Sequence, residues 1–250
     1  MGVNPFRSFP IPSWLRTGLD FVYPRVCCAC GEAVHEPLSD GLCWDCRTDT
    51  LPLGPPWCET CGAVTAGRID HAFICSDCVG HPPAYDQARS LFRYEGGVRE
   101  AIHAMKYRRD FSVIPDLARL LNAGVQVHFP DFREAVLVPV PLHTHKMRMR
   151  GFNQSLELIR AMRRENPALR MWNGVRRVRN TETQTRLSKA GRRENVRGAF
   201  RVPRKRIPGV PETVVLVDDV MTTGSTVDAC ARALKRAGAA RVFVLTLARG

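Results

Sequence analysis

From residue 89 onward, short β-branched runs alternate with amphipathic stretches, and this alternation sets the first expectation. Residues 89–94 read as a short strand. The stretch 98–107 then places Val98, Ala101, Ile102 and Met105 on one helical face. A second helix is expected over 111–128, with Pro115 in its first turn, where the missing N–H costs nothing. AVLVPV at 135–140 has the composition of a strand, and 153–164 is amphipathic, with Leu156, Ile159 and Met162 recurring on one side. TVVLV at 213–217 is a continuous apolar run of the kind found in strands covered on both faces. Residues 225–237 read as a helix stopped by Gly238, and 242–248 return as a strand. Strands alternating with helices predict an α/β fold, a parallel sheet with helices on both faces. No repeat or low-complexity tract interrupts it.

Upstream the chemistry changes. Eight of ten cysteines form four C-x2-C pairs: Cys27/Cys30, Cys43/Cys46, Cys58/Cys61 and Cys75/Cys78, separated by 12, 11 and 13 residues. Such a knuckle turns two thiolates toward one ion, and two knuckles complete the tetrahedral four-sulfur shell that Zn2+ prefers. Gly31 and Gly62 follow two of the knuckles, where a tight turn needs a permissive backbone. Two zinc ions are expected, in either sequential or cross-braced pairing, and zinc would supply the folding energy that so small a lobe lacks. A disulfide framework is disfavoured, because no secretory signal opens the chain and a single redox dithiol would not recur four times. Cys28 reads as a bystander and Cys230 as a small core residue. His35, His71 and His81 are expected on the surface. The segment LPLGPPW at 51–57 is a stiff connector between the two lobes, and GHPPAYD at 80–86 a linker turn. The expected division is an N-terminal arm at 1–22, a metal-binding domain at 23–82 and the α/β domain at 83–250.

Charge narrows the partners. The 250 residues carry a net +13, yet 146–206 alone hold 19 Lys+Arg against 4 acids, so the remaining residues sum to −2. Arginine (32) far outnumbers lysine (5), and a planar guanidinium suits phosphate. Composition explains the choice of arginine but not its clustering, which points to an anion-binding surface. No apolar run approaches a membrane span, and the chain is expected in the cytoplasm.

The most informative stretch is VVLVDDVMTTGST at 214–226. A buried strand is expected to end in Asp218 and Asp219 and to pass through a turn of small donors into a helix. Open α/β sheets bind ligands at the carboxyl ends of their strands. Backbone N–H groups there, with the hydroxyls of Thr222, Thr223, Ser225 and Thr226, make an anion cradle, and Gly224 lets the backbone approach an oxygen closely. Two carboxylates can accept hydrogen bonds from vicinal hydroxyls. A ribose bearing a 5-phosphate satisfies every part. Threonine-rich N-caps and aspartate turns are common, but neither alone places two acids between a hydrophobic strand and five small donors.

This stretch resembles the 5-phosphoribosyl-1-pyrophosphate (PRPP) motif of type I phosphoribosyltransferases. With the eight thiols, FRYEGGVREAIHAMKYRRD (92–110), VPVPLHTHKMRMRGFNQS (138–155) and TQTRLSKAGRRENVRGAF (183–200), the chain resembles the ComF family from about residue 23 to 247. That family joins an N-terminal double zinc ribbon to a type I phosphoribosyltransferase-like domain and is associated with competence and DNA uptake. The resemblance implies that Asp218 and Asp219 meet the ribose hydroxyls and that Thr222, Thr223, Gly224, Ser225 and Thr226 take the 5-phosphate. It implies a second loop after 136–140, with Lys146, Arg148 and Arg150 near pyrophosphate and Mg2+. It likens 176–197, with Gln184, Arg192, Arg193 and Asn195, to a lid over the diphosphate. Thr222 stands where purine-salvage members carry an acid, which disfavours that specificity. No catalytic base is identifiable. The implied partners are PRPP, single-stranded DNA and proteins of the competence machinery; the implied activity is transfer of the phosphoribosyl group to an acceptor that the residues do not name, and the alternative is non-catalytic handling of single-stranded DNA through a basic groove.

Overall fold

A computed structural model of the chain describes residues 24–34, 39–65, 67, 69–129, 135–180, 189–203 and 209–250. Two short helices, α1 (Trp44–Thr48) and α2 (Ser76–Gly80), lie within the cysteine-rich region. Strand β1 (Gln87–Arg93) then leads through α3 (Gly96–His103) into a π-helical turn, Ala104–Arg108. Next come α4 (Ile114–His128), β2 (Val136–Pro139), α5 (Thr144–Arg150) and α6 (Gln154–Glu165). Short strands β3 (Arg170–Met171) and β4 (Arg176–Arg177) precede α7 (Lys189–Asn195) and β5 (Phe200–Arg201). The chain closes with β6 (Thr213–Met221), α8 (Ser225–Arg236) and β7 (Arg241–Arg249).

Five strands form one parallel sheet in the order β1-β7-β6-β2-β3, while β4 and β5 pair antiparallel apart from it. The expected α/β class is therefore the observed one. Alternation along β6 sends Val215 and Val217 into one apolar layer with α3, α4 and α6. Val214 and Leu216 enter the other layer with α8. After β2 the chain moves outward to β3, and after β6 it moves the opposite way to β7. The crevice between the carboxyl ends of β2 and β6 is thus the sheet's switch point, where such folds hold ligands.

Strand β6 is longer than its apolar run. Pairing with β7 continues through Asp218 opposite Thr246, Val220 opposite Ala248 and Met221 opposite Arg249. The two acids therefore sit inside the strand, not after it, because the parallel ladder extends beyond the hydrophobic stretch.

The cysteine groups straddle the β1 edge of this sheet. Cys27, Cys28 and Cys43 pack into the layer with Val98, Ile114 and Leu117, whereas Cys58, Cys61 and Cys78 pack into the opposite layer with Tyr85 and Val227. Between them the connector behaves as an added edge strand. Leu53 N–H donates to the Leu91 carbonyl and Arg93 N–H to the Leu51 carbonyl, each at 2.8 Å, and Ala88 N–H donates to Thr60 at 2.7 Å. An otherwise open edge is thereby covered. Gly62, at φ +68°, allows this approach, since a Cβ there would stand 2.6 Å from the Ala88 carbonyl oxygen.

Candidate ligand site

The eight knuckle cysteines gather into two groups, Cys27/Cys30/Cys43/Cys46 and Cys58/Cys61/Cys75/Cys78, and within each the sulfurs all lie within 4.8 Å of one another. This is the sequential pairing; the cross-braced alternative does not form. A tetrahedral zinc with Zn–S bonds of about 2.3 Å requires S···S edges of about 3.8 Å. Cys30 and Cys43 stand 3.7 Å apart, and Cys61 and Cys75 3.8 Å. The donor set and its spacing fit zinc. Burial works to raise the Cys58 thiol, but N–H groups of Cys61, Cys75 and Thr60 more than offset it and bring the thiol down to about 7. Arg249 donates to the Cys61 carbonyl at 2.7 Å and reaches its sulfur at 3.8 Å, a supporting contact of the kind that orients metal ligands. Cys28 lies outside both groups, and burial pushes its thiol up to about 12. Cys230 is fully buried on α8, while His71 and His81 are exposed; His35 lies outside the described residues.

At the switch point, Asp218 and Asp219 are 8% and 3% exposed. Their partners come from two elements that sequence reasoning left without a role. The N-terminus of α6 supplies Ser155, whose Oγ donates to Asp218 Oδ1 at 2.8 Å, and Gln154, whose Nε2 donates to Asp219 Oδ1 at 3.3 Å. Asn153 caps that helix by accepting the Ser155 N–H at 3.0 Å, and its Nδ2 donates to the Val140 carbonyl at 3.1 Å. The helix start is thus fastened to the end of β2. The π turn supplies Lys106, whose ammonium forms an ion pair with Asp219 Oδ2.

The environment separates the two carboxyls. Burial, aided by the adjacent charge of Asp219, pushes the Asp218 carboxyl well above its ordinary range, against the opposing pull of Ser155. Burial would do the same to Asp219, but Lys106 holds it below that range. Desolvation likewise works against the Lys106 ammonium, yet Asp219 outweighs it and raises the pKa.

Beyond the acids, the chain leaves β6 through Thr222 and Thr223 to Gly224, which caps α8 at φ +75° with no side-chain hydrogen bond. Thr223 and Ser225 hydroxyls lie 2.9 Å apart. Asp218, Thr222, Gly224, Ser225 and Thr226 line a cavity of about 90 Å³ at this helix start. Five of the seven residues expected to bind the sugar phosphate line this cavity; Thr223 borders the larger neighbouring cleft, and Asp219 is turned to Gln154 and Lys106.

The other candidates divide. Lys146 and Arg150 stand on α5, a short helix closed by Gly151 at φ +85°, where the family resemblance implied a loop. THKMRMR lacks an apolar stripe, so periodicity gave no sign of it. Burial lowers the Lys146 pKa, and the charges of Arg177, Arg150 and Lys106 lower it further, so these cations share one neighbourhood. Arg150 also donates to Gln154 at 2.7 Å and lies over the Tyr107 ring at 5.8 Å. Arg148 is exposed on the same helix. Arg193 pairs with Asp77 of α2 at 2.9 Å, beside a 520 Å³ cleft that Thr223, Gly224 and Ser225 of the turn also line. Arg192 and Asn195 accompany it, half-buried on α7, and Gln184 lies outside the described residues. Lys106 and Lys146 had one visible sign, since only five lysines occur beside 32 arginines. An ammonium is a compact, titratable point charge that a guanidinium does not replace.

Comparison with known proteins agrees with this arrangement. Residues 18–79 match the family model of the double zinc ribbon domain, and residues 188–250 match that of the phosphoribosyl transferase domain. Competence protein F of Haemophilus influenzae is 31% identical over 227 residues, covering 89% of this chain and 96% of its own. DNA utilization protein YhgH of Salmonella typhimurium is 34% identical over 239 residues, covering 84% and 97%. Competence protein ComFC of Bacillus subtilis is 28% identical over 217 residues, covering 83% and 84%. The described helices include none long and apolar enough to cross a membrane. With relatives this similar across nearly their whole length, and with paired four-cysteine groups beside a phosphoribosyltransferase-like sheet, the chain belongs to the ComF family.

Proposed function

We propose that this protein binds PRPP together with Mg2+ and transfers its phosphoribosyl group to an acceptor. The observation that carries this reading is the acid pair inside the end of the central strand, directly before a cavity at a helix start that no side chain caps. Asp218 and Asp219 accept the ribose hydroxyls. The turn at 222–226 takes the 5-phosphate through its hydroxyls and the amides of the α8 start. Lys146, Arg150 and Lys106 surround the position left for the diphosphate, with Arg177 close by. Leaving-group charge is where electrostatic stabilisation contributes most, and these cations meet it in a partly desolvated setting. Bound magnesium supplies further neutralisation of the diphosphate. Gln154 and Ser155 hold the carboxylates in place, so ligand hydroxyls meet oxygens that are already oriented. The thiolate-rich lobes suit the reducing cytoplasm.

Calorimetry with magnesium and PRPP tests this reading. Wild-type protein binds, and the variant carrying Asp218→Asn with Asp219→Asn loses at least about 100-fold in affinity, as expected when two hydrogen bonds to charged acceptors are weakened. Equal affinity in both proteins would exclude it.

A second reading is favoured by one observation, the clustering of arginine over 146–206, together with the names of the relatives. In it the basic surface handles single-stranded DNA without catalysis and the zinc lobes dock a partner of the competence machinery. Log affinity for single strands then falls with log salt by about 0.7 per phosphate neutralised. A flat salt dependence in fluorescence anisotropy would exclude this reading.

A further inference from the structure

The ion pair between Lys106 and Asp219 occupies the carboxylate that the ribose reading requires. The Lys106 side chain on the π turn is 14% exposed and the Asp219 side chain 4%, so the pair is largely removed from water. Separating such a pair without replacing the lost partner is costly. Among the described residues, cations outnumber acids around it: the charges of Arg177, Arg150 and Lys106 act on Lys146, Asp218 acts on both Lys106 and Arg177, and Tyr94 lies within reach of the charges of Lys106 and Asp219. Like charges already press on Lys146. A polyanion entering here gives the ammonium of Lys106 a new partner at the moment its old one is needed for a hydroxyl.

We infer that Lys106 makes the site selective for a ribose 5-phosphate that carries a diphosphate at its anomeric carbon. This rests on the phosphoribosyl reading above and deepens it. The diphosphate draws the Lys106 ammonium from Asp219, and the released carboxylate oxygen accepts a ribose hydroxyl. A ribose 5-phosphate without the diphosphate offers Lys106 nothing in exchange and must separate the pair unaided. Lys106 is thus a specificity-determining residue that exchanges partners. Lys106 stands within the π turn, which Arg109 at φ +56° closes immediately afterwards; such single π turns are frequent at functional sites.

The test compares PRPP with ribose 5-phosphate by calorimetry, both with magnesium, on wild type, Lys106→Gln and Lys106→Arg. The ratio of the two dissociation constants within one protein is insensitive to any misfolded fraction. Wild type prefers PRPP by at least about 10-fold, Lys106→Gln loses at least about 10-fold of that preference, and Lys106→Arg keeps most of it. If wild type and Lys106→Gln discriminate equally, this inference fails while the phosphoribosyl reading stands. If wild type binds neither ligand, the phosphoribosyl reading fails and the inference falls with it.

Discussion

The buried carboxylate of Asp116 on α4 accepts the backbone N–H of Gly41, in the first cysteine lobe, at 2.8 Å. The N–H groups of Asp40 and Leu42 reach the same oxygen at 3.1 Å, and Arg47 donates to the other oxygen at 2.8 Å, with Arg119 beside it. One acid on a helix of the α/β sheet therefore gathers three amides and two guanidinium groups. It fixes the loop that carries Cys43 toward its metal site. Gly41 has no room for a side chain, since a Cβ there would lie 2.7 Å from the Val113 nitrogen.

Replacing Asp116 by alanine strands the three amides and removes the carboxylate partner of Arg47, while Arg119 keeps Asp40 and Glu165. Denaturant unfolding should show a loss of about 3–5 kcal/mol, the range for breaking one partner of a buried ion pair. Zinc release from the variant, followed with a chromogenic chelator, should come at lower denaturant than in wild type. A loss below about 1 kcal/mol would show that the lobe is held by its metal and apolar contacts alone.

Metal content follows from the sulfur geometry. Elemental analysis should give two zinc ions per wild-type chain and one in Cys58→Ser, while Cys28→Ser keeps both. Chelation should lower the melting temperature, because the thiol groups pack into both apolar layers of the sheet. A Cys28→Ser protein with one zinc would refute the assignment of ligands.

The acid pair predicts an inverted pH dependence. The folded-state pKa of Asp218 is raised above its unfolded value, first by burial and then by Asp219. Its stabilising contribution is complete below the unfolded pKa and is lost as pH rises through the folded one. Asparagine does not titrate and keeps an oxygen that can accept from Ser155. Asp218→Asn should therefore melt progressively higher than wild type as pH rises from about 5 to about 9, while losing PRPP. Asp219 acts in the opposite sense, held low against burial chiefly by Lys106, which the variant keeps. A melting difference independent of pH would show that Asp218 carries no such penalty.

What the sequence revealed, and what it concealed, has physical causes. A strand buried on both faces must be apolar throughout, so 213–217 announced itself, and paired thiols at knuckle spacing announced two metal sites. The continuation of β6 through Asp218 and Asp219 was hidden, because ladder pairing with β7 does not depend on apolar side chains. Helix α5 was hidden because its residues are half-buried or exposed and show no stripe. Lys106, Gln154 and Ser155 lay in stretches that carry the family resemblance, but their meeting with the acids is made by the fold. Only the switch-point topology brings the π turn after β1 and the start of α6 to the end of β6. The straddling of the β1 edge by the two cysteine lobes is equally a long-range fact, carried by Leu53, Leu91 and Arg93 backbone groups.

The most direct measurement of the central claim is a phosphorus-31 NMR titration of PRPP with the protein in magnesium buffer. If the turn at 222–226 holds the 5-phosphate and the cations of 106, 146 and 150 hold the diphosphate, all three phosphorus resonances shift or broaden with wild type. With Asp218→Asn and Asp219→Asn combined, they stay near their free positions. Resonances unchanged by wild-type protein would contradict the account.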